Sequence, residues 1–406
     1  MENRSPIAVS GPLEPFAAGF WSSLIHQGYR RQSARIQIHL FAQLSAWLVE
    51  EGVDTGELAA TDMERFLAAR RRTGTRRYVS EKAMRAILTH LRDEGVVKLP
   101  PVLAASGPVD VTLERYRQYL TREQGLAATT ARLYVSLVRP FVSAARMSPD
   151  GLTLDWTSLR AADVIDFVVA RTPQQSRGTA KLTVTALRSL LGFLHVDGRI
   201  VQPLTGAVPS VAGWRLAGLP KSLKPGDVRA LLASCDRRGR TGRRDFAVLT
   251  MLVRLGLRAG EVAALRLDDI DWRTGTMVVC GKGHQIEQLP FPRDVGDAVV
   301  GYLRRGRPVT AMDRTVFVRV KAPHRALTPL GVSGIVAAAA HRAGLGRIHA
   351  HRLRHTAAVQ LLQAGAPLSE IGQLLRHRRA QTTAIYAKVD RAALRTIARP
   401  WRGGVA

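Results

Sequence analysis

The sequence predicts a mostly α-helical chain with one small antiparallel β-sheet, an α+β fold whose sheet belongs to the C-terminal part. Three observations carry this. Residues 14–103 and 108–205 repeat one helical plan, a β-hairpin signature stands at 276–291, and the chain after Thr328 is helical with short breaks.

From Phe16 to Val97 the pattern is helical, with Ile36, Leu40, Leu44, Trp47 and Leu48 forming an apolar stripe at 3–4 spacing. Thr61, Asp62 and Glu64 read as the capped start of a short helix ending near Arg70. A basic loop, Arg70, Arg71, Arg72, Arg76 and Arg77, follows, then an amphipathic helix over 81–92 stopped at Gly95. The next segment keeps the same order of features. Gly28 and Arg35 answer to Gly125 and Arg132, 97 apart. Leu58, Asp62, Phe66 and Arg70 answer to Leu159, Asp163, Phe167 and Arg171, 101 apart. Arg85, Leu88, Leu91, Gly95 and Pro100 answer to Arg188, Leu191, Leu194, Gly198 and Pro203, 103 apart. Small loop insertions account for the drift, so the two segments read as copies of one four-helix unit.

Residues 1–13 read as a loose tail. The Gly, Pro and Ser content around 206–221 marks a linker, and a third domain spans 222–406. It opens on Lys224 and Pro225, with proline suited to a first helical turn. A helix over 243–255 ends at Gly256. Strands over 276–280 and 286–291 flank Gly281-Lys282-Gly283-His284, and 317–320 reads as a further strand. Gly365 and Pro367 separate two Leu-rich helices.

Charge is distributed unevenly. The formal net charge is +28, and only eight of the 60 basic residues are Lys. Arg in such excess suits forked contacts to phosphate. Residues 1–107 carry +3, residues 108–215 carry +5 and residues 216–406 carry +20. A polyanion, nucleic acid above all, is expected on the C-terminal half. Cys235 and Cys280 are the only cysteines and stand outside any CxxC pattern, which argues against disulfides and a zinc ribbon. No stretch approaches twenty apolar residues and the N-terminus has no signal-like pattern, which predicts a cytosolic protein.

Four separated stretches carry the chemistry. Arg258 follows a Gly-Leu break, with Glu261 three residues on to hold it. Lys282 stands between two glycines at the hairpin tip. His351 and Arg354, with His355 beside them, share one helix face. His377 precedes a lone Tyr386 by nine residues. Taken singly, an Arg–Glu pair at a helix start is usually a surface ion pair, a Lys between glycines solubilises a turn, and a helical Tyr is core. Yet the segment around Tyr386 is no stripe that needs a Tyr for packing. Together, two Arg, the His, one Lys and one Tyr without paired carboxylates suit a pentacoordinate phosphate under attack by a phenol.

The segments LGLRAGEVAALRLDDIDW, GKG, HRLRHT and LLRHRRAQTTAIY resemble the tyrosine recombinase (phage integrase) family, including its Xer-type members, over residues 222–400. Residues 108–205 are more weakly similar to that family's helical core-binding (SAM-like) domain, a DNA-binding unit. The resemblance implies Arg258 and Arg354 as clamps on the scissile phosphate, with Glu261 buttressing Arg258. It implies Lys282 as the acid that protonates the departing 5′ oxygen, and His351 as an aid to proton transfer from the nucleophile. His377 would hydrogen-bond the phosphate. Tyr386 would attack, giving a 3′-phosphotyrosyl link without metal or ATP.

The implied partners are double-stranded DNA, further copies of the chain in a tetramer on DNA, and partner recombinases. The implied location is the bacterial cytoplasm, at the nucleoid. Arg70, Arg71, Arg72, Arg76, Arg77, Arg177, Lys181 and Arg376 are the candidate DNA contacts. Arg376 stands where the family usually has Gly, and Glu287 where a base is common. The extra unit at 14–103 would serve either as an arm on DNA or in packing between protomers. The tail, with Leu394, Ile397 and Trp401 on one stripe, suits docking on a neighbouring subunit or on its own domain.

Three rivals stand beside this. A metalloenzyme would use His349, His351 and His355, but no nearby Asp, Glu or Cys completes a site and HExxH is absent. A catalytically silent DNA-binding protein of the same fold would be expected to lose some of the six positions, all filled here. A type IB-like topoisomerase shares the covalent chemistry, while the duplicated helical region favours recombination. Integration, transposition, resolution and inversion all use this chemistry.

Overall fold

Glycines at positive φ and carboxylate caps divide the N-terminal part into four helices: α1 (Ala17–His26), α2 (Arg31–Glu50), α3 (Ala60–Arg72) and α4 (Glu81–Asp93). The structure, a computed structural model, describes residues 7–97, 107–212, 222–281, 285–377 and 380–389. Lys282, most of the linker, Pro100 and the tail with Leu394, Ile397 and Trp401 lie outside the described residues.

The four helices close on an apolar core that includes Phe20, Trp21, Leu24, Phe41, Leu44, Met84, Ile87 and Leu91. Phe20 meets Phe41 with ring centroids 4.9 Å apart, within the range of favourable aromatic pairs. In α2 the buried stripe runs through Ile38, Leu40, Leu44, Trp47 and Leu48, so Ile38 takes the place expected of Ile36. Helix α3 starts at Ala60 because the Asp62 carboxylate accepts the Ala59 N–H at 3.1 Å, one residue ahead of the expected start. Arg70, Arg71 and Arg72 remain in its last turn instead of opening the loop. Cations there oppose the negative end of the helix dipole.

The second segment repeats the plan with α5 (Pro108–Arg122), α6 (Ala128–Ser143), α7 (Ala161–Arg171) and α8 (Arg177–Val196). Asp163 accepts the Arg160 N–H at 2.8 Å, the cap that Asp62 supplies in α3. Gly28 and Gly125 follow the first helix of each segment, and Gly95 and Gly198 follow the last, all at positive φ. Sequence periodicity missed a two-residue antiparallel pair between α6 and α7, β1 (Arg146–Met147) and β2 (Leu154–Asp155). Strands this short leave no period to read.

The C-terminal part begins with α9 (Pro225–Ala233), α10 (Arg240–Leu255) and α11 (Ala259–Ala264). A three-stranded antiparallel sheet follows: β3 (Ile270–Asp271), β4 (Thr276–Cys280) and β5 (Ile286–Pro290), in that order. Met277 faces Leu289 across the β4–β5 ladder and Val279 faces Glu287. Met277, Val279 and Leu289 are buried, so register and core agree. Helices α12 (Arg293–Arg305), α13 (Pro329–Arg342), α14 (Ala350–Gln363), α15 (Leu368–Leu374) and α16 (Ala380–Thr383) complete it. Its core is built around α10, where every residue from Ala247 to Val253 is buried.

One expected strand fails. Residues 317–320 make only an isolated bridge, Val318 to Ala326. Val316, Phe317 and Val318 are fully buried among helices and loops, and burial alone accounts for the apolar run.

Two compact units result, residues 1–98 with 218–406, and residues 99–217. Within the first, the N-terminal bundle meets the C-terminal part at Gly28. The residue has φ +85° and lies against the His324 ring where any Cβ would overlap, and the His324 N–H donates to the Gln27 carbonyl at 3.4 Å. Among the described residues no helix is long and apolar enough to cross a membrane.

Candidate active site

Gly256 ends α10 at φ +58°, the left-handed conformation that lets a helix stop within one residue. The chain then turns into α11 with Arg258 as its cap. The Glu261 carboxylate accepts the Arg258 backbone N–H at 2.7 Å and the Arg258 guanidinium at 2.6 Å. One acidic residue thus shapes the helix start and aims the arginine. The Glu261 side chain is 3% exposed and that of Arg258 is 36%, so the carboxylate is enclosed while the guanidinium reaches solvent.

Arg354, on α14, is 2% exposed. Its guanidinium donates to the Gly256 carbonyl at 2.6 Å and to the Leu375 carbonyl. It therefore ties the end of α10 to the turn after α15. Burial first, then the charges of Arg258 and Arg376, pull its pKa down to about 10, and it stays cationic at neutral pH.

Two imidazoles lie against the tyrosine, and a third packs on one of them. His351 and His355 are one helical turn apart on α14, with ring centroids 4.5 Å apart and edge to face. His355 Nδ1 is hydrogen-bonded to the Tyr386 hydroxyl at 2.8 Å. The His377 ring lies parallel to the Tyr386 ring, centroids 6.4 Å apart, and its Nδ1 is bonded to Thr383 Oγ1 at 2.8 Å. A side chain at Gly372 would press on that Thr383 hydroxyl, so glycine lets α15 and α16 approach.

Tyr386 itself is 1% exposed, packed with Ala358, Val359, Ile371 and Leu375. This corrects the sequence reading that its segment does not need a tyrosine for packing. The ring is core, and only the hydroxyl is committed to a polar partner.

Sequence reasoning placed His355 beside the pair and gave it a role only as a metal ligand in the rival reading. Its spacing of four from His351 was the available signal, while its contact with a residue 31 positions away was not.

Arg376 differs from its expected role as a DNA contact. Its side chain is 3% exposed and its guanidinium donates to Glu261 at 2.6 Å. Lys282 is not described, but the hairpin stem is. A Cβ built on Gly281 would lie 3.9 Å from Glu261 Oε1, so the stem runs beside the arginine cap. Glu287, on the same hairpin, lines with Arg376 and His377 a cleft of about 1170 Å³.

The other candidate contacts belong to the two helical segments. Arg70 is half-buried and braces its loop, donating to Gln43 and to the Arg77 carbonyl, and Arg71 donates to the Val79 carbonyl at 3.0 Å. Arg72, Arg76 and Arg77 are exposed on that bundle, and Arg177 and Lys181 are exposed at the start of α8. Among the described residues no three His, Cys, Asp or Glu side chains stand close enough to hold a metal ion, His349, His351 and His355 included.

Electrostatics make the three histidines neutral at pH 7. Burial comes first for each, and then Arg354 and Arg258 hold His351 below its ordinary pKa, while His351 and Arg354 do so for His355. The same forces push His377 down to about 4. Burial raises the Tyr386 phenol.

The unfolded chain takes up these protons near pH 6.5 and the folded site resists them, so acid favours unfolding. Melting temperature is expected to fall as pH drops from 6.5 towards 4, and His377→Gln should flatten part of that slope. An unchanged slope in the variant would remove His377 from the account. The check is a set of thermal melts across that range.

Known proteins are similar to the C-terminal part and to the second helical segment. Residues 221–392 match the phage integrase family and residues 113–198 the phage integrase N-terminal SAM-like domain. A protein of Sinorhizobium fredii named as an integrase/recombinase, y4rA, is 38% identical over 398 residues, 97% of this chain and 95% of that protein. Tyrosine recombinase XerD of Mycobacterium tuberculosis is 33% identical over 307 residues, 72% of this chain and 96% of that protein.

Among solved structures, XerH site-specific recombinase bound to a palindromic difH substrate superposes with a TM-score of 0.58 at 17% identity, covering 73% of this chain and 97% of that one. A lambda integrase dimer bound to a COC′ core site gives 0.54 at 16%, covering 73% and 98%. The polar set around Tyr386, on helices with this fold and with relatives matched over nearly the full chain, leads to one conclusion: the chain belongs to the tyrosine recombinase (phage integrase) family.

Proposed function

We propose that the chain is a site-specific DNA recombinase that cuts and rejoins strands through a 3′-phosphotyrosyl intermediate, serving integration, transposition or resolution of a DNA element. The observation that carries this is the joint placement of two guanidinium groups, Arg258 and Arg354, with a phenol bonded to an imidazole. The Tyr386 oxygen attacks phosphorus, and the bond from phosphorus to the 5′ oxygen breaks. The phenol proton passes to the His355–His351 side, and Lys282 delivers a proton to the departing 5′ oxygen. Arg258 and Arg354 offset the extra negative charge of the pentacoordinate phosphate, with His377 donating to one of its oxygens. The phosphotyrosine keeps the energy of the phosphodiester, so the freed 5′ hydroxyl reseals it without ATP.

Because Tyr386 is 1% exposed, segment 380–389 has to shift before the phenol meets DNA. Cleavage is thereby coupled to DNA binding. The charge of +20 on residues 216–406 supports duplex DNA as the partner of this part. A lambda integrase tetramer bound to a Holliday junction, similar in fold at a TM-score of 0.54, supports assembly into a tetramer on DNA.

The test uses a library of nicked duplexes with randomised arms, from which covalent adducts are captured. The wild-type chain is expected to yield a denaturant-resistant adduct held through a DNA 3′ phosphate, to release a fragment with a 5′ hydroxyl, and to resolve a Holliday junction built from the captured sequence. Lys282→Ala should cleave slowly on that sequence and recover with a 5′-bridging phosphorothiolate, a leaving group that needs no proton. Absence of any wild-type adduct would sink the reading, and absence of the rescue would remove the acid role from Lys282.

A further inference from the structure

Arg376 is one of only two non-glycine residues at positive φ among the described residues, with φ +53°. A side chain in that conformation is strained, and strain of this kind persists where the surroundings over-determine it. The surroundings here are the arginine cap. Glu261 Oε2 accepts both from the Arg258 N–H, at 2.7 Å, and from the Arg376 guanidinium, at 2.6 Å, while Oε1 accepts from the Arg258 guanidinium. The Arg376 carbonyl in turn accepts from the second Arg258 nitrogen at 3.4 Å. One residue therefore touches Arg258 from two sides, through its carbonyl directly and through Glu261 with its side chain.

We propose that Arg376 is a positioning residue for the phosphate-binding arginine Arg258, fixing its direction and preserving its charge for the DNA phosphate. This rests on the recombinase reading above. The physical logic lies in the different burial of the two arginines. The Arg258 side chain is 36% exposed and faces outward, whereas that of Arg376 is 3% exposed and lies behind the carboxylate. A lone Arg258–Glu261 pair would be neutral, and much of the arginine's attraction for phosphate would be spent on Glu261. With Arg376 behind it, the cluster of two guanidinium groups and one carboxylate keeps a net positive charge, and the exposed member presents it. Arg376 Nε has no hydrogen-bond partner, a burial cost that a merely space-filling residue would not incur. Glu287 lines the same cleft and draws on the Arg376 charge, which places the hairpin stem within reach of the same balance.

The experiment measures single-turnover adduct formation on the captured nicked duplex as a function of DNA concentration. Arg376→Gly removes the guanidinium and suits the backbone. Its saturating rate is expected to fall by roughly 30-fold with the half-saturating DNA concentration within about threefold of wild type, as for a misdirected catalytic group. Arg376→Lys, which keeps a charge behind Glu261, should recover most of the loss. In an Arg258→Ala background, Arg376→Gly should cost less than about twofold more, because its effect passes through Arg258. Should the glycine variant fail to fold, Arg376→Gln takes its place with the same expectations. A full-rate Arg376→Gly variant, or losses that multiply in the double variant, would overturn the proposal while the wild-type adduct leaves the recombinase reading intact. No wild-type adduct would fall on that reading instead.

Discussion

Tyr386→Phe is expected to form no covalent adduct with the captured duplex and to bind it with unchanged affinity. The ring of Tyr386 is packed among Ala358, Val359, Ile371 and Leu375 and lies parallel to His377. Phenylalanine keeps all of that area. What disappears is one oxygen, bonded in the resting site to His355 at 2.8 Å. His355 is half-buried and finds water in exchange, so the variant folds and melts within a few degrees of wild type. Removal of a covalent nucleophile costs at least ~10⁴ in rate, which takes adduct formation below detection. Adduct mass and denaturing gels give the readout. An adduct in the variant would mean that another residue attacks. A variant that loses both adduct and binding would make Tyr386 a structural residue, the role its burial would otherwise suggest.

How much of this was legible in the sequence depends on the range over which each feature is decided. Arg258 with Glu261, and His351 with Arg354, could be read because three-residue spacing on a helix is local geometry. The same holds for Asp62 and Asp163, which cap their helices three residues back, and for the glycines that end them. Features decided by packing were not legible. Phe317 looked like a strand residue because fully buried runs share composition whether or not a partner strand exists. Arg70 was read as part of an open basic loop, yet it remains in the last turn of α3 and donates to Gln43, 27 positions away.

The site divides in the same way. The identities of the polar residues were apparent from their chemistry, but their partners were not. An arginine in a run such as Leu375-Arg376-His377-Arg378 reads as a surface cation. Only the left-handed turn and the buried Glu261, 115 positions away, direct it inward. His355 is the mirror case, a residue with little sequence distinction that holds the one hydroxyl in question. Tyr386 was expected to be free of packing duties, and its burial makes the proposed nucleophile a core residue as well. On the proposed mechanism segment 380–389 would have to move, and the bond to His355 would be among the contacts broken.

Arg354→Ala is expected to lose both stability and chemistry, and Arg354→Lys part of the first and at least tenfold of the second. The arginine is 2% exposed and bridges two backbone carbonyls, Gly256 and Leu375, that belong to different helices. Alanine leaves both carbonyls without that donor inside the protein, and charged hydrogen bonds of this sort are worth ~1.5–3 kcal/mol each before the cavity is counted. A drop of about 3 kcal/mol in unfolding free energy follows. Chemistry suffers separately, because loss of a fixed charge beside the phosphate costs ~10²–10³ in rate. Lysine restores the charge, but one ammonium cannot span two carbonyls and still present a donor to phosphate, where a planar fork can. The lysine variant should therefore melt between wild type and alanine, while its saturating cleavage rate stays at least tenfold below wild type. Melting curves and single-turnover rates at saturating DNA separate the two effects. A lysine variant that cleaves at the wild-type rate would show that charge alone suffices, and that the fork from α10 to the turn after α15 serves the fold and not the phosphate.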